Sequence, residues 1–338
     1  MPLLSFCIPT HNCPILLRMT LLSIFASCEA ADFNDFEINI SDNSDVSYLE
    51  FLMEAFEINR SKKIIYHYNP SLISPFLNQQ NALMSSKGSY KWLMGDDVLL
   101  LNAVSRIIPH LKLDKYFLIS CGFFADWRNE ITRRPYLDFH YLSYSAQDKV
   151  VRGIPSLLLA RGGSWGFMST FIFNAKYLDA SIPRSLSITL DSYPQCQWPQ
   201  ILFLIQSSLV NNSAVHISTP LVLDPHMKDC SVPDKPWPWS PFIYTSDLWL
   251  VFTFHKICSN SLDSVKLWRA FLRFYLYVFC DQISFKQFIS SLNLGFKLCV
   301  GGKYPFVIFL AYGFSLFLSF FRAILLIFAK PHIRYGIK

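Results

Sequence analysis

The sequence has no Cys-x-x-Cys pair, no Gly-x-Gly-x-x-Gly loop after its first apolar run, and no long run of lysine or arginine. Each absence excludes something. Without paired spacing, the odd set of nine cysteines reads as reduced thiols in a cytosolic compartment, not as a disulfide frame or a zinc site. Cys7, Cys121, Cys280 and Cys299 lie in apolar runs, where a thiol behaves as a small hydrophobe. The missing glycine loop argues against a dinucleotide-binding Rossmann domain, and against a nucleotidyltransferase that opens on a Gly-rich basic loop. A net charge of +6 without a basic run suits anionic lipid or phosphorylated substrates and argues against nucleic acid as a partner. Residues 1–8 carry no basic n-region or small-residue cleavage site, so they are expected to start the fold and not to form a signal peptide.

What is present is apolar. Hydrophobic residues make up 52% of 338 positions, with 31 Phe, more than a soluble enzyme of this size needs, and a membrane surface is the usual absorber of such an excess. Apolar runs at Leu3–Ile8, Phe36–Ile40, Lys63–His67 and Tyr90–Met94 read as strands. Pro14–Cys28, Tyr48–Ile58 and Pro75–Ser86 between them have helical periodicity. Strand–helix repeated in this way predicts an α/β domain on a mostly parallel sheet with right-handed crossovers.

The chain is organised around Tyr90-Lys91-Trp92-Leu93-Met94-Gly95-Asp96-Asp97, a short buried strand followed by a turn and adjacent carboxylates. Such a pair is kept either because water solvates it in a loop or because a cation sits on it. Thr10, Asn12 and Asp42 also fall at strand ends, and in a parallel sheet those ends share one edge. Together they predict one cleft with several carboxylates.

The motifs Ser5-Phe6-Cys7-Ile8-Pro9-Thr10-His11-Asn12, Ile40-Ser41-Asp42-Asn43 and Lys87-Gly88-Ser89-Tyr90-Lys91-Trp92-Leu93-Met94-Gly95-Asp96-Asp97 resemble those of family 2 glycosyltransferases of the GT-A fold. Gly162-Gly163-Ser164-Trp165 before a strand at Ser169–Phe173, and Ser192-Tyr193-Pro194-Gln195 at a helix start, are similar to abequosyltransferase-like enzymes of O-antigen assembly. The resemblance covers about residues 3–224. It implies a nucleotide-sugar-binding, Rossmann-like GT-A sheet in which Pro9, Thr10, Asn12, Asp42, Asn78 and Asp96 line the donor site and Asp42 reads the base. It also implies that Asp96 and Asp97 hold a divalent metal, Mg or Mn. The donor would be a nucleotide sugar of a hexose or deoxyhexose. The acceptor would be a polyprenyl-diphosphate-linked oligosaccharide at the cytoplasmic face of a bacterial inner membrane.

The chain departs from the family where Val98 stands for a third acid, His11 for a common Tyr, Leu77 for a frequent Arg and Ser74 for a frequent Gly. These departures keep a second reading open, a weakened or inactive GT-A-like scaffold bound to membrane. Asp126 past the strand Tyr116–Phe123, and Asp191 before a helix at Trp198–Leu209, are the candidate catalytic bases; the structural alternatives are a turn cap for Asp126 and a helix cap for Asp191. Val150–Leu159 reads as helix, and His216 and Cys196 as structural.

The organisation expected is a GT-A domain over 1–230, a helical extension over 231–303 after the Lys235–Pro241 Pro/Trp-rich boundary, and a membrane-associating segment over 304–338. Between Pro305 and Ala329 the only charge is Arg322. Tyr304, Tyr312, Ser315, Ser319, Arg322 and Lys330 fall on one helical stripe, which favours a helix lying in the inner-leaflet interface over a span or a core helix.

Overall fold

The computed structural model describes residues 1–56, 62–71, 73, 75–125, 148–161, 168–178 and 199–224. Strand β1 (Leu4–Thr10) is buried at every residue except Pro9. Pro14, with its φ already set for a first turn, opens α1 (Pro14–Ala30). Leu17, Leu21, Ile24, Phe25 and Cys28 recur at helical spacing and are buried, so α1 covers the sheet with one face. β2 (Phe36–Asp42) is buried along its length, as a strand covered on both sides must be. α2 (Leu49–Ala55), β3 (Ile64–Tyr68), α3 (Pro75–Ser85) and β4 (Tyr90–Leu93) follow. β1 pairs in parallel with β2 and β4, and β2 with β3, giving the order β3-β2-β1-β4.

Beyond β4 the expectation of a mostly parallel sheet gives way to a mixed one. β5 (Val98–Leu99), α4 (Ala103–Leu113), β6 (Leu118–Ala125), β7 (Lys149–Arg152), α5 (Ile154–Arg161), β8 (Phe171–Asn174), α6 (Pro199–Val210) and β9 (Ser213–Asp224) complete the described elements. The order is β3-β2-β1-β4-β8-β6-β9-β5, with β7 beside β9. β8 is antiparallel to both β4 and β6, while β9 is parallel to β6 and antiparallel to β5 and β7. The reversal has a plain cause: the 3-10 turn Met168–Thr170 brings the chain in beside Gly95, at the carboxyl end of β4, so β8 can only run back along it.

Two local expectations are corrected here. Lys149–Arg152 is strand, because the edge of β9 supplies backbone partners from Ser213 to His216, and the helix starts only at Ile154. The strand expected from Ser169 begins at Phe171, after the 3-10 turn.

Aromatic packing ties the first elements together. Phe6 of β1 stacks on Trp92 of β4 at 5.6 Å between centroids and meets Phe36 of β2 edge-on at 6.0 Å. Phe25 of α1 reaches Phe36 and Phe56. Each such pair contributes about 0.5–1.5 kcal/mol beyond its buried area. At the opposite edge from the site, Gly88 N–H donates to Ser5 Oγ at 2.7 Å, and Ser5 Oγ donates to Glu37 Oε1 at 2.6 Å. A Cβ on Gly88 would stand 2.4 Å from Ser5 Oγ and 2.6 Å from Ser5 N, so the hand-over from α3 to β4 requires glycine.

The chain divides into two units, Met1–Asp234 and Lys235–Lys338. The Pro/Trp-rich boundary, the helical extension and the segment 304–338 lie outside the described residues. Among the described residues no helix is long and apolar enough to cross a membrane.

Candidate functional site

The carboxyl ends of β1, β2 and β4 share one edge: Thr10 lies opposite Asp42, and Met94 N–H donates to the Cys7 carbonyl at 2.9 Å. Loops leaving this edge are laced by side-chain amides. Asn12 takes a left-handed φ of 53°, which asparagine tolerates better than most residues. Its amide nitrogen donates to Asp45 Oδ2 at 3.1 Å and its Oδ1 accepts from Asp45 N–H at 3.0 Å. Asn43 Nδ2 donates to the carbonyls of Asn69 (3.1 Å) and Ser71 (2.8 Å), and its Oδ1 accepts from Ile73 N–H. His11 Nδ1–H donates to the Asn43 carbonyl at 2.6 Å, which leaves Nε2 to accept from Asn12.

Asp42 is fully buried and well supplied with donors. Ser44 N–H reaches Oδ1 at 2.9 Å, while the Tyr66 hydroxyl and Tyr48 N–H (3.4 Å) reach Oδ2. Burial, with the Asp42 carboxylate adding to it, pushes the Tyr66 phenol up to about 12, so it stays a donor. A carboxylate has about four acceptor sites, and most of those on Asp42 are used inside the protein.

Asp96 and Asp97 turn to different elements. Asp97, 8% exposed, accepts a short hydrogen bond from Ser169 of the 3-10 turn. Asp96 faces the end of β1, where the Cys13 thiol donates to it. Burial dominates and holds its carboxyl at about 7, far above the usual carboxylate value of 3.8. Asp96 Oδ1 is buried with no hydrogen-bond partner. Two further buried atoms at this edge are also unpartnered, Thr10 Oγ1 and Asn78 Oδ1, and the Asn78 amide nitrogen donates to the Thr10 carbonyl at 3.1 Å. Each such atom costs about 1–3 kcal/mol if nothing meets it.

No protein-family model matches the chain. In sequence it is similar to abequosyltransferase RfbV of Salmonella typhimurium, 29% identical over 230 residues that span 65% of this chain and 66% of that one. In structure it is similar to S. aureus TarS 1-349 in complex with UDP-GlcNAc, with a TM-score of 0.57 at 12% identity over 99% of this chain and 94% of the other. TarS 1-349 alone matches over the same shares at a TM-score of 0.56. The fold is that of a GT-A glycosyltransferase. The alignment with RfbV thus spans just under two thirds of that relative.

The GT-A resemblance implies a divalent metal, and the residues present fit one. A hard cation seeks carboxylate oxygen, and it would relieve both the unpartnered Asp96 Oδ1 and the burial penalty on that group. Among the described residues no group of three or more His, Cys, Asp or Glu side chains could hold a metal. Val98, in the place of a third acid, is tied into β5 opposite Leu223.

Of the GT-A site residues expected from sequence, Pro9, Thr10, Asn12, Asp42, Asn78, Asp96 and Asp97 all lie at or beside this edge. Asp126, Asp191 and the 162–165 loop lie outside the described residues. Sequence reasoning gave no site role to Ser169, Tyr66, Asn43 or Cys13. Asn43 sits next to Asp42 in a polar loop and could have been suspected; a lone Ser in an apolar stretch carries no such signal.

Proposed function

We propose that this chain transfers a sugar from a nucleotide-sugar donor, in the synthesis of a surface polysaccharide such as O-antigen. The observation that carries the reading is the set of unpartnered buried atoms at the carboxyl edge, Thr10 Oγ1, Asn78 Oδ1 and Asp96 Oδ1. A buried polar atom with no partner in the fold calls for one from outside it, a ligand, an ion or water. Likeness to an abequosyltransferase supports a hexose or deoxyhexose donor, and likeness to a structure holding UDP-GlcNAc supports a nucleotide-sugar site.

In this reading Asp96 and Asp97 hold Mg or Mn, and Pro9, Thr10 and Asn78 approach the donor. When bound, the metal supplies charge neutralisation on the departing nucleoside diphosphate. Asn12, Ser44 and Asp45 form the base-side rim, and Asp42 orders that rim from behind, with one acceptor site left at most for the base itself. Asp191 or Asp126 takes the proton from the acceptor hydroxyl.

The acceptor proposed is a polyprenyl-diphosphate-linked oligosaccharide at the cytoplasmic face of the inner membrane, reached through residues 304–338 lying on the bilayer. Deleting 304–338 should move the protein from membrane to soluble fractions; continued sedimentation with membranes would refute that anchor. The reading as a whole is tested by incubating the protein with UDP-, GDP-, CDP- and dTDP-sugars and Mn2+. Release of one nucleoside diphosphate is expected. Mn2+-dependent binding without release would favour the scaffold reading, which Val98 in its apolar place supports.

A further inference from the structure

We propose, resting on the transferase reading above, that Ser169 is a positioning residue: its buried hydroxyl sets the orientation of the Asp97 carboxylate toward the metal–diphosphate group. Ser169 is fully buried, and its hydroxyl joins two groups on the turn after β4. Gly95 N–H donates to Ser169 Oγ at 2.6 Å. An N–H can only donate, so the single hydroxyl proton of Ser169 is left for Asp97 Oδ2. The bond therefore has a fixed direction and favours Asp97 as an acceptor, the state a metal ligand needs.

The turn that carries Ser169 is itself gripped from both sides. Trp92 Nε1–H donates to the Ser169 carbonyl at 2.8 Å, which ties the turn to β4. On the other side, Arg161 donates to the Thr170 hydroxyl and, at 3.4 Å, to the Thr170 carbonyl, and its guanidinium lies 4.3 Å from the centroid of the Phe171 ring. Arg161, Thr170 and Phe171 are all fully buried, so the serine has little freedom to drift. The space is tight as well: a Cβ on Gly95 would lie 3.0 Å from Asp97 Oδ2 and 3.1 Å from Met168 Cε. A residue more than seventy positions downstream thus fixes a carboxylate of the donor edge, in the way that outer hydrogen bonds orient metal ligands elsewhere.

The experiment uses the full chain and reads Mn2+ affinity by EPR with UDP, GDP, CDP or dTDP present, alongside thermal melting. The parent should bind Mn2+ with at least one of the diphosphates. Ser169→Ala should then weaken Mn2+ by about 10–100-fold. Its Mn2+ half-saturation in turnover should rise by a similar factor, with kcat at saturating Mn2+ nearly unchanged. Ser169→Thr, which keeps the hydroxyl, should recover part of the affinity. Trp92→Phe, which loosens the turn but leaves the hydroxyl, should weaken Mn2+ to a smaller degree, and it serves as the decisive variant if Ser169→Ala does not fold. A lower melting temperature with unchanged Mn2+ affinity in both variants would overturn the positioning role alone. No Mn2+ binding by the parent with any of the diphosphates would instead overturn the transferase reading, and this role with it.

Discussion

The ends of β2 and β4 lie on the same edge of one sheet, yet they treat their carboxylates in opposite ways. At β2, Asp42 is surrounded by Ser44, Tyr48 and Tyr66 and is satisfied from within. At β4, Asp96 has a buried oxygen that nothing meets, and burial holds its carboxyl near 7. A satisfied buried network stabilises and orders; an unsatisfied one waits for a partner. The difference is that one end is satisfied from within and the other is not, though both read in sequence as an Asp after a strand.

The strongest way to break that comparison is at β4. Asp97→Ala should lower nucleotide-sugar turnover by about 10²–10³-fold while circular dichroism stays close to the parent and the melting curve shifts only by the cost of the stranded Ser169 hydroxyl. Unchanged turnover would remove Asp97 from the metal site. At β2 the expected effect is on stability. Tyr66→Phe strips a donor from buried Asp42 and should cost about 1–3 kcal/mol in denaturant unfolding, with a smaller effect on Mn2+ affinity. A larger loss of affinity than of stability would make the β2 end part of the chemistry.

A further expected effect is one of pH. Asp96 has its folded value raised to about 7 from 3.8, so the folded state binds the extra proton and the unfolded state does not. Stability should therefore fall as pH rises between 3.8 and about 7 and stay low above it. Asp96→Asn should flatten that part of the curve, and Mn2+ should recover stability at the upper end for the parent only. An identical pH profile in the variant would mean that Asp96 is not the group strained by burial.

The first hundred residues were legible because their signals are local. Apolar runs end at Pro9, Asp42, Asn69 and Gly95, and proline, glycine and Asx residues punctuate them wherever the chain turns. Elsewhere the pattern was ambiguous. Val150–Leu159 read as one helix although Arg152, Gly153 and Pro155 interrupt it; β9 made its first part a strand by offering an edge, and the helix begins after Gly153. The antiparallel insertion of β8 between β4 and β6 depends on where a distant segment enters the sheet, and no periodicity records that.

The sequence by itself determined the strand–helix repeat, the polar strand ends and the adjacent acids after Trp92-Leu93-Met94-Gly95, because residue spacing and turn chemistry act over a few neighbours. Tertiary structure alone decided which acids are satisfied. Only in the fold do Tyr66 reach Asp42, Ser169 reach Asp97, and nothing reach Asp96 Oδ1. The physical reason is that desolvation and hydrogen bonding depend on what surrounds a group in space.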